Sequence, residues 1–517
     1  MRRLAIALLL FAASIRADVR PRAIPPRAIE TGNVKTWRFV LVNDAPVAEQ
    51  RVPVTFSISN DELLSIPANC ERSATRHDEV RCVVDIGASS ISSELTFTIR
   101  TSTSLKFGRF GAAVTTIGSK SWRDEAILAR DFVVTNVADS GAGSLRAAIE
   151  QVNEQCATNS DVSRDGPCRI SFAIDAPLPA SGWYTIAPKT PLPALTAYDV
   201  TIDGSTQAND FGAPKIMLDG RDVQGGHGLE LHCSRADIID VAIGSFPQNG
   251  IFAIPRPSAI YTGVTVRRAW LGVDPTGVQS APNGWRGLQT YRSYGTIADN
   301  VIAANRRAGA FFAHASELTI RDNFVGLGAD GKTPPGNGAS GVFIDVPLPE
   351  TYAQVPVPVY LTVRDNVVAY NAQAGLSVTN GSELAIGANR FFNNAGAAID
   401  FGLNGRGGAI EPAPAIRAAT YANGVTTIEG TAGRSSTVFL YASGQLKADG
   451  SVEAEQFIGQ LSAGPAFTLA VPRDLRGLYI SASSSAITVG QIPSSCLCDV
   501  PKQHLLSTEL SAPRRVD

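Results

Sequence analysis

Residues 361–394 read LTVRDNVVAYNAQAGLSVTNGSELAIGANRFFNN, and they contain two asparagine pairs with one internal spacing. Asn366 and Asn371 form the first pair, and Asn389 and Asn394 repeat it further along the chain. Apolar residues alternate with polar ones just before each pair. A fixed spacing of this kind predicts a structural unit that recurs along the chain and stacks on its neighbours.

The spacing continues upstream of this stretch. Asn300 and Asn305 form a third pair, and the step from Asn300 to Asn323 equals the step from Asn366 to Asn389. A second, longer offset is shared by five more pairs of similar residues, which are Trp270/Phe324, Gly272/Gly326, Gly277/Gly331, Asn283/Asn337 and Gly287/Gly341. Five matches at one offset indicate that the repetition has a structural cause.

We interpret each unit as one coil of a parallel β-helix, made of three short strands joined by bends. Coils stack at about 4.8 Å, so equivalent residues of successive coils form columns. An asparagine in a bend column can turn the chain and donate a hydrogen bond to the asparagine of the next coil, as stacked amides do in cross-β structures. The expected fold class is therefore all-β.

Composition excludes several classes of protein. The chain has 517 residues, of which 18% are charged, and its formal net charge is −2. Because basic residues are not in excess, we expect no nucleic-acid partner. The 47 glycines and 31 prolines favour a chain with many turns over an all-α protein. No cofactor is expected, and calcium is the one metal left open.

The N-terminus has the layout of a secretory signal peptide. Arg2 and Arg3 precede an apolar run over residues 4–15, and Ala17 is the expected last residue of the signal. This apolar run is too short to span a bilayer, and no later segment reaches about 18 residues without charges, so no membrane insertion is expected. We expect residues 1–17 to be removed and the protein to be secreted, either extracellular or periplasmic.

Short strands flank the repeats on both sides. Residues 18–32 carry three prolines and are predicted to be a linker. Residues 33–130 alternate apolar and polar residues, which favours a β-sandwich similar to immunoglobulin-like repeat domains. A second small β-sandwich is expected over residues 404–490, and residues 491–517 are predicted to be a disordered tail.

The cysteines fit an oxidising compartment. Cys70 and Cys82 have the same separation in the chain as Cys156 and Cys168, and each pair flanks a turn-rich stretch that a disulfide could close. Cys233 lies in an apolar stretch and is expected to be a buried thiol. The roles of Cys496 and Cys498 stay open.

One segment near residue 140 resembles a known family. Residues 135–141 (TNVADSG) and 143–149 (GSLRAAI) are similar to the opening of secreted bacterial β-helix proteins with a Cys-Ser-Leu-Arg-Glu-Ala motif, within the pectin-lyase-like superfamily. Gly143 and Ala147 stand where that family has Cys and Glu. The resemblance covers about half the chain and implies a right-handed, single-stranded parallel β-helix over residues 131–403, with an N-terminal helical cap at 144–152. The superfamily includes lyases, hydrolases and adhesins, so the resemblance does not fix the activity.

Three aspartates could carry chemistry. Asp299, Asp322 and Asp365 each immediately precede a bend asparagine, and Arg321 and Arg364 precede the last two. If the coils of Asp299 and Asp322 are adjacent, their carboxylates lie about 5 Å apart, near the separation in retaining glycosidases. The alternative is a solvated turn in which Arg and Asp pair locally.

Four aromatic residues could stack on sugar rings: Trp270, Trp285, Tyr291 and Tyr294. They could instead belong to the core or to lids. The favoured interpretation is a monomeric, non-catalytic secreted or cell-surface protein that binds polysaccharide or a surface partner. The alternative is a polysaccharide lyase or glycoside hydrolase acting on an outer sheet.

We interpret Gly226-His227-Gly228 as a turn, because the acidic motifs that accompany a similar histidine motif in polygalacturonases are missing.

Overall fold

The computed structural model describes three structural regions. The described residues are 19–24, 34–43, 48–59, 62–88, 90–100, 108–118, 120–156, 167–207, 212–256, 259–314, 317–345, 360–379, 384–400, 414–432, 436–447, 452–463, 465–487, 505–507 and 512–516. The predicted signal peptide lies outside them, as do Cys496 and Cys498. No helix of the described residues is long and apolar enough to span a membrane.

The N-terminal region consists of two five-stranded antiparallel sheets around one apolar core. Its strands are β1 Val19–Ile24, β2 Val34–Asn43, β3 Glu49–Ser59, β4 Glu62–Ser65, β5 Cys70–Arg72, β6 Glu79–Ile86, β7 Ser90–Ile91, β8 Leu95–Arg100, β9 Gly108–Ile117 and β10 Lys120–Leu128. One sheet has the order β1-β2-β8-β4 with β7 beside β2, and the other has the order β10-β9-β3-β6-β5. Aromatic residues fill the core between the two sheets. Four of them point inward with their rings in contact, namely Trp37, Phe39, Phe56 and Phe97. We call this region the N-terminal domain.

The start of the predicted linker is a strand. β1 pairs antiparallel with β2 over its whole length, so the prediction of a linker over residues 18–32 is wrong for residues 19–24. Val19 and Ala23 are buried in the core, and Pro21 is tolerated because β1 is an edge strand. The prolines and arginines of this segment hid its alternation. Residues 25–32 lie outside the described residues.

The middle region is a parallel β-helix. It contains β11 Arg130–Val134, α1 Leu145–Gln155, β12 Cys168–Phe172, β13 Tyr184–Ile186, β14 Asp199–Asp203, a 3-10 turn Gly204–Thr206, β15 Ile216–Asp219, β16 Leu229–Leu231, β17 Arg235–Ile239, β18 Ala242–Gly244, β19 Ile251–Ala253, β20 Thr262–Arg267, β21 Trp270–Leu271, β22 Leu288–Tyr291, β23 Ser293–Ala298, β24 Val301–Ile302, β25 Ala310–Ala313, β26 Glu317–Arg321, β27 Phe324–Val325, β28 Val342–Asp345, β29 Tyr360–Arg364, β30 Val367–Ala369, β31 Leu376–Thr379, β32 Leu384–Ile386, β33 Arg390–Phe392 and β34 Ile399–Asp400.

Three parallel sheets wind around one continuous core. Sheet 1 is β11-β12-β14-β17-β20-β23-β26-β29-β32, sheet 2 is β13-β15-β18-β21-β24-β27-β30-β33, and sheet 3 is β16-β19-β22-β25-β28-β31-β34. Each complete coil contributes one strand to each sheet. The prediction of a right-handed parallel β-helix is confirmed.

Helix α1 covers the first coil, as expected. Ser144 is its N-cap and accepts a hydrogen bond from the amide of Ala147, while Leu145, Ile149 and Val152 are buried against the first strands. The helix thereby keeps water from the apolar end of the β-helix.

Two ladders of buried asparagines run along two corners of the β-helix. In the first ladder, Nδ2 of Asn300, Asn323 and Asn366 donates to Oδ1 of the asparagine one coil further on, at 2.8–2.9 Å, and Asn389 ends the row. The second ladder connects Asn283, Asn305, Asn337, Asn371 and Asn394 in the same way. The predicted asparagine columns are confirmed. The longer of the two sequence offsets corresponds to two coils of unequal length, since Asn305 lies between Asn283 and Asn337.

Glycine lies where the second ladder needs room. A Cβ added at Gly287 or Gly309 would lie 2.9 Å from the Nδ2 atom of Asn305 or Asn337, respectively. The same position at Gly341 would lie 2.8 Å from Nδ2 of Asn371. These distances are shorter than a side chain tolerates, so the ladder requires glycine at each of these three positions.

The C-terminal region again has two antiparallel sheets and its own core. Its strands are β35 Ala415–Ala422, β36 Val425–Thr431, β37 Ser436–Ser443, β38 Gln456–Ala463, β39 Phe467–Val471, β40 Tyr479–Ile487, β41 Leu505–Ser507 and β42 Arg514–Arg515. β41 and β42 pair with β40, and Val516 is buried in the core. The prediction of a disordered tail over residues 491–517 is therefore wrong for these two strands, which complete the sheet.

This C-terminal region also closes the far end of the β-helix. Phe439, Tyr441 and Ala454 belong to the β-helix core, and the hydroxyl of Tyr441 donates to the carbonyl of Gly387 at 2.9 Å. The ammonium of Lys447 donates to the carbonyl of Gly396 at 2.8 Å. These contacts cover strands that would otherwise expose unpaired main-chain groups.

The ladder yields a stability prediction. Asn323→Ala removes the donor to Ile297 O and Asn366 Oδ1, and it removes the acceptor of the main-chain and side-chain N–H groups of Asn300. Because buried groups left unpaired cost about 1–3 kcal/mol each, we expect destabilisation on the order of 3 kcal/mol. Chemical denaturation measures it. The exposed Gln373→Ala on a neighbouring coil is the control, and equal effects of both changes would contradict the ladder's role.

Candidate binding surface

The aspartates singled out from the sequence lie at the corner that follows sheet 1. Asp299, Asp322 and Asp365 have φ values between 56° and 59°, a left-handed conformation that aspartate tolerates, and they direct their side chains away from the β-helix core. They lie on consecutive coils, as the pairing of β23 with β26 and of β26 with β29 requires. The coils of Asp299 and Asp322 are therefore adjacent.

The N-terminal domain covers this corner. Arg20 forms an ion pair with Asp299, Trp122 Nε1 donates to Asp322 Oδ2 at 3.1 Å, and Lys120 Nζ lies 2.5 Å from Asp365 Oδ1. The three aspartate side chains are only 13%, 5% and 8% exposed. Each carboxylate therefore faces a side chain of the other domain.

Arginines of the β-helix complete the interface. Arg321 and Arg364 pair with Asp322 and Asp365 at 2.6 and 2.5 Å, and Arg267 pairs with Asp124 of the N-terminal domain at 3.1 Å. Charges of opposite sign thus match along several coils. The three aspartate carboxylates therefore help to hold the N-terminal domain against the β-helix. The catalytic role suggested by the sequence remains a prediction.

The interface sets the protonation of Asp322. Burial by itself would raise the pKa of this carboxyl, but the positive charges of Arg321 and Arg20 and the hydrogen bonds from Arg321 and Trp122 hold its pKa below the ordinary value. Asp322 is therefore ionised at neutral pH.

The four predicted aromatic residues lie on different faces. Trp270 and Phe324 pack on the outside of sheet 2 against Val301, where the bend at Gly277 approaches the indole ring. Tyr294 lies on sheet 1, 40% exposed, with its ring over Gly263. The structure does not bring these residues together with Trp285 and Tyr291, which both lie on the side of sheet 3.

Sheet 3 carries an aromatic column that the sequence did not single out. Phe252, Gln289, Phe311 and Phe343 occupy equivalent outward positions on four consecutive coils. The rings of Phe311 and Phe343 have centroids 5.0 Å apart, and His227 stacks on Phe252 at 4.4 Å. All these side chains are half-buried. A row of rings along the β-helix axis results.

The bend before sheet 3 places two arginines beside this column. Arg286 lies 4.4 Å above the ring of Phe311, and its Nη1 donates to Gln289 Oε1 at 2.7 Å. Arg307 is exposed and lies 5.4 Å from the ring of Trp285 on the preceding coil. We call the set of Phe252, Gln289, Phe311, Phe343, His227, Trp285, Arg286 and Arg307 the sheet 3 surface.

His227 contributes a neutral ring to this surface. Its Nδ1 accepts a hydrogen bond from the amide of Asn249 at 3.2 Å. Burial lowers the pKa of the imidazole below its ordinary value, so the ring is uncharged at pH 7. The predicted turn histidine thus stacks on a phenylalanine and adds apolar area.

A second group lies at the other edge of sheet 3. The rings of Tyr291 and His314 have centroids 4.9 Å apart, and the guanidinium of Arg292 lies 5.8 Å from the ring of Tyr291. Asp345 accepts a hydrogen bond from Thr379 at 2.5 Å. Burial lowers the pKa of His314, which is therefore neutral at pH 7.

A sequence signal for the aromatic column exists. Phe252, Phe311 and Phe343 each stand two residues after a glycine of the corner column, at Gly250, Gly309 and Gly341. Because the glycine precedes the strand at a fixed register, the residue two places later points outward. Each phenylalanine by itself looks like an ordinary core residue.

Both predicted disulfides are present, and the described residues hold one free thiol. Cys70 pairs with Cys82 and Cys156 with Cys168. Cys233 is buried as expected, and burial raises its pKa to about 12. Among the described residues, no group of three or more His, Cys, Asp or Glu side chains is placed to hold a metal ion.

The interdomain charges predict a pH-dependent effect. Asp322→Asn removes a carboxylate whose folded pKa is depressed, so its stabilisation is present above the unfolded pKa of about 4 and is lost as the pH falls below it. We expect destabilisation on the order of 3 kcal/mol at pH 7 that shrinks below about pH 4. Unfolding experiments at several pH values measure it.

The matched control is Asp474→Asn. Asp474 pairs with Arg476 at 2.6 Å but is 44% exposed, so this change should have little effect at any pH. An Asp322→Asn effect of equal size at pH 3 and pH 7 would contradict the assignment.

The chain was compared with protein families, curated proteins and solved structures. Structures that match include the A-module of the mannuronan C-5 epimerase AlgE4 of Azotobacter vinelandii, with a TM-score of 0.27 and 14% identity over 51% of this chain and 71% of that one. Another is a calcium-binding mutant of beta-glucuronidase 2 of Bacteroides uniformis, with a TM-score of 0.15 and 7% identity over 95% of this chain and 60% of that one. No curated protein matches the chain. Residues 227–410 match the family described as "Right handed beta helix region".

Proposed function

We propose that this protein is a secreted or cell-surface β-helix protein that binds polysaccharide on the sheet 3 surface without catalysing its breakdown. The observation that carries the proposal is the row formed by Phe252, Phe311 and Phe343 with hydrogen-bonding groups beside it. A sugar has apolar C–H faces and polar edges. It therefore suits flat aromatic rings flanked by groups such as Gln289.

The direction of the row supports a polymeric ligand. Equivalent positions on successive coils repeat at about 4.8 Å, so the rings follow the β-helix axis. A ligand with repeating units can make similar contacts on several coils, and these contacts add up. A small, isolated ligand would use only one or two of them.

The disulfides support an oxidising location. Cys70–Cys82 and Cys156–Cys168 are both formed, and such bonds persist outside the cytosol. Together with the expected signal peptide, they are the basis for proposing secretion.

The setting of the aspartates supports the non-catalytic part of the proposal. Asp322 and Asp365 are at most 8% exposed and each faces a cation or an N–H donor of the N-terminal domain. A general acid or base needs to reach its substrate, and these carboxylates are covered.

A specific observation favours a second candidate function, a polysaccharide lyase. Tyr291 and His314 offer a phenol and a neutral imidazole 4.9 Å apart, with the guanidinium of Arg292 nearby. A base beside a cation is what proton abstraction next to a sugar carboxylate needs. If the protein is a lyase, it should form unsaturated products from an acidic polysaccharide, and the Tyr291→Phe variant should form none.

Binding is tested with immobilised polysaccharides. We expect Phe311→Ala and Phe343→Ala each to lower the affinity about tenfold or more, because each removes a ring from the aromatic column. Tyr370→Ala, a 36% exposed tyrosine away from the surface, is the control. Retained binding in Phe311→Ala with loss in Tyr294→Ala would contradict the proposal and place binding on sheet 1.

Catalysis is tested on the same polysaccharides. The proposal expects no increase in reducing ends and no ultraviolet absorbance from unsaturated sugars after incubation with the protein. Product formation that disappears in Tyr291→Phe would overturn the non-catalytic assignment in favour of the lyase.

A further inference from the structure

Two arginines of the sheet 3 surface have no carboxylate partner among the described residues. Arg286 hydrogen-bonds to the amide oxygen of Gln289, and Arg307 lies against the ring of Trp285. Arg321 and Arg364 of the same β-helix each pair with an aspartate. Arg286 and Arg307 differ from them in having no such pair among the described residues.

The nearby acidic side chains are engaged elsewhere. Glu230, in the same outward column as Phe252, contacts His232 at 2.9 Å. Asp345 accepts a hydrogen bond from Thr379 at 2.5 Å. Neither carboxylate is positioned to neutralise Arg286 or Arg307, so the centre of the surface carries net positive charge.

This positive charge is energetically costly where it lies. Arg286 is half-buried, and its Nε has no hydrogen-bond partner among the described residues. Burial, and after it the like charge of Arg307, lowers the pKa of Arg286, although the group stays protonated at neutral pH. An anion bound beside Arg286 would offset both the cost of burying its charge and the repulsion from Arg307.

We propose that the sheet 3 surface recognises an acidic polysaccharide, with Arg286 and Arg307 binding anionic groups of the sugars whose rings stack on Phe311 and Phe343. A guanidinium presents N–H donors in a planar fork that matches a carboxylate or a sulfate ester. The two arginines lie on neighbouring coils, which the hydrogen bond from the main-chain N–H of Arg307 to the carbonyl of Trp285 joins. They can therefore meet anionic groups of one chain that runs along the axis.

This inference rests on the proposed function and narrows its ligand class. The coil that carries Arg286 also carries Gln289, and the coil that carries Arg307 also carries Phe311. Each of these two coils thus supplies one cation at the bend and one outward side chain on the strand. The surface offers charge and stacking side by side.

The test compares one polymer with and without its charge. Polygalacturonate and the same polymer after chemical reduction of its carboxyl groups are measured for binding to the full chain, and dextran sulfate supplies the sulfate arm. We expect polygalacturonate or dextran sulfate to bind at least tenfold more tightly than the reduced polymer. Added salt should weaken only the binding of the charged polymers.

Variants locate the effect. Arg286→Gln and Arg307→Gln should each remove most of the preference for the charged polymer, measured as the ratio of its affinity to that of the reduced polymer. Arg417→Gln, an exposed arginine of the C-terminal region, changes the net charge equally and should keep the preference. Thermal unfolding of each variant checks that the fold is intact.

The outcomes separate the two proposals. If the reduced polymer binds as tightly as the charged ones and Phe311→Ala abolishes this binding, the acidic-ligand inference is overturned and the proposed function stands. If Phe311→Ala affects no polymer, both are overturned. Arginine-dependent binding of dextran sulfate alone supports an acidic ligand and assigns the anion as a sulfate ester.

Discussion

The buried hydrogen bonds between asparagine side chains are the interaction on which the rest of the structure depends. At two corners of the β-helix, an asparagine amide satisfies main-chain groups of its own and neighbouring coils and donates one N–H to the next asparagine. A buried amide without partners would be costly, so the ladder is stable only if successive coils stay in register. In the coils from Asn283 to Asn394, that requirement fixes the position of the strand that follows each laddered corner.

The register of the coils also determines which side chains lie on the outer surface of the β-helix. The residues before Asn300, Asn323 and Asn366 adopt a left-handed conformation and face the N-terminal domain. Asp299, Asp322 and Asp365 therefore form a row of charges that matches that domain. The second ladder presses against a column of glycines, and two residues beyond those glycines the side chains face solvent on sheet 3. The two asparagine ladders thus position an interdomain interface on one side of the β-helix and an aromatic column on another.

The repeat itself could be predicted from the sequence because a stacked coil returns equivalent residues at similar spacings, as with Asn366 and Asn389. The capping helix was equally readable, since Ser144 and the buried positions of α1 depend on local spacing. The partners of the aspartates could not be foreseen, because Trp122 and Asp322 are 200 residues apart and no period connects them. Phe311 and Phe343 each look like a core residue when taken singly, and only their fixed distance from the corner glycines Gly309 and Gly341 marks them as outward-facing.

The N-terminal domain touches the coils that carry Arg267, Asp299, Asp322 and Asp365, and three of these same coils bear Gln289, Phe311 and Phe343 on another face. A domain fastened across several successive coils acts as a brace, since those coils cannot shift or fray separately without breaking buried ion pairs. Local unfolding should therefore begin at the ends of the β-helix, while its middle coils stay folded. A ligand arriving at the aromatic face would meet side chains that are already ordered, and little conformational entropy would be lost in docking there.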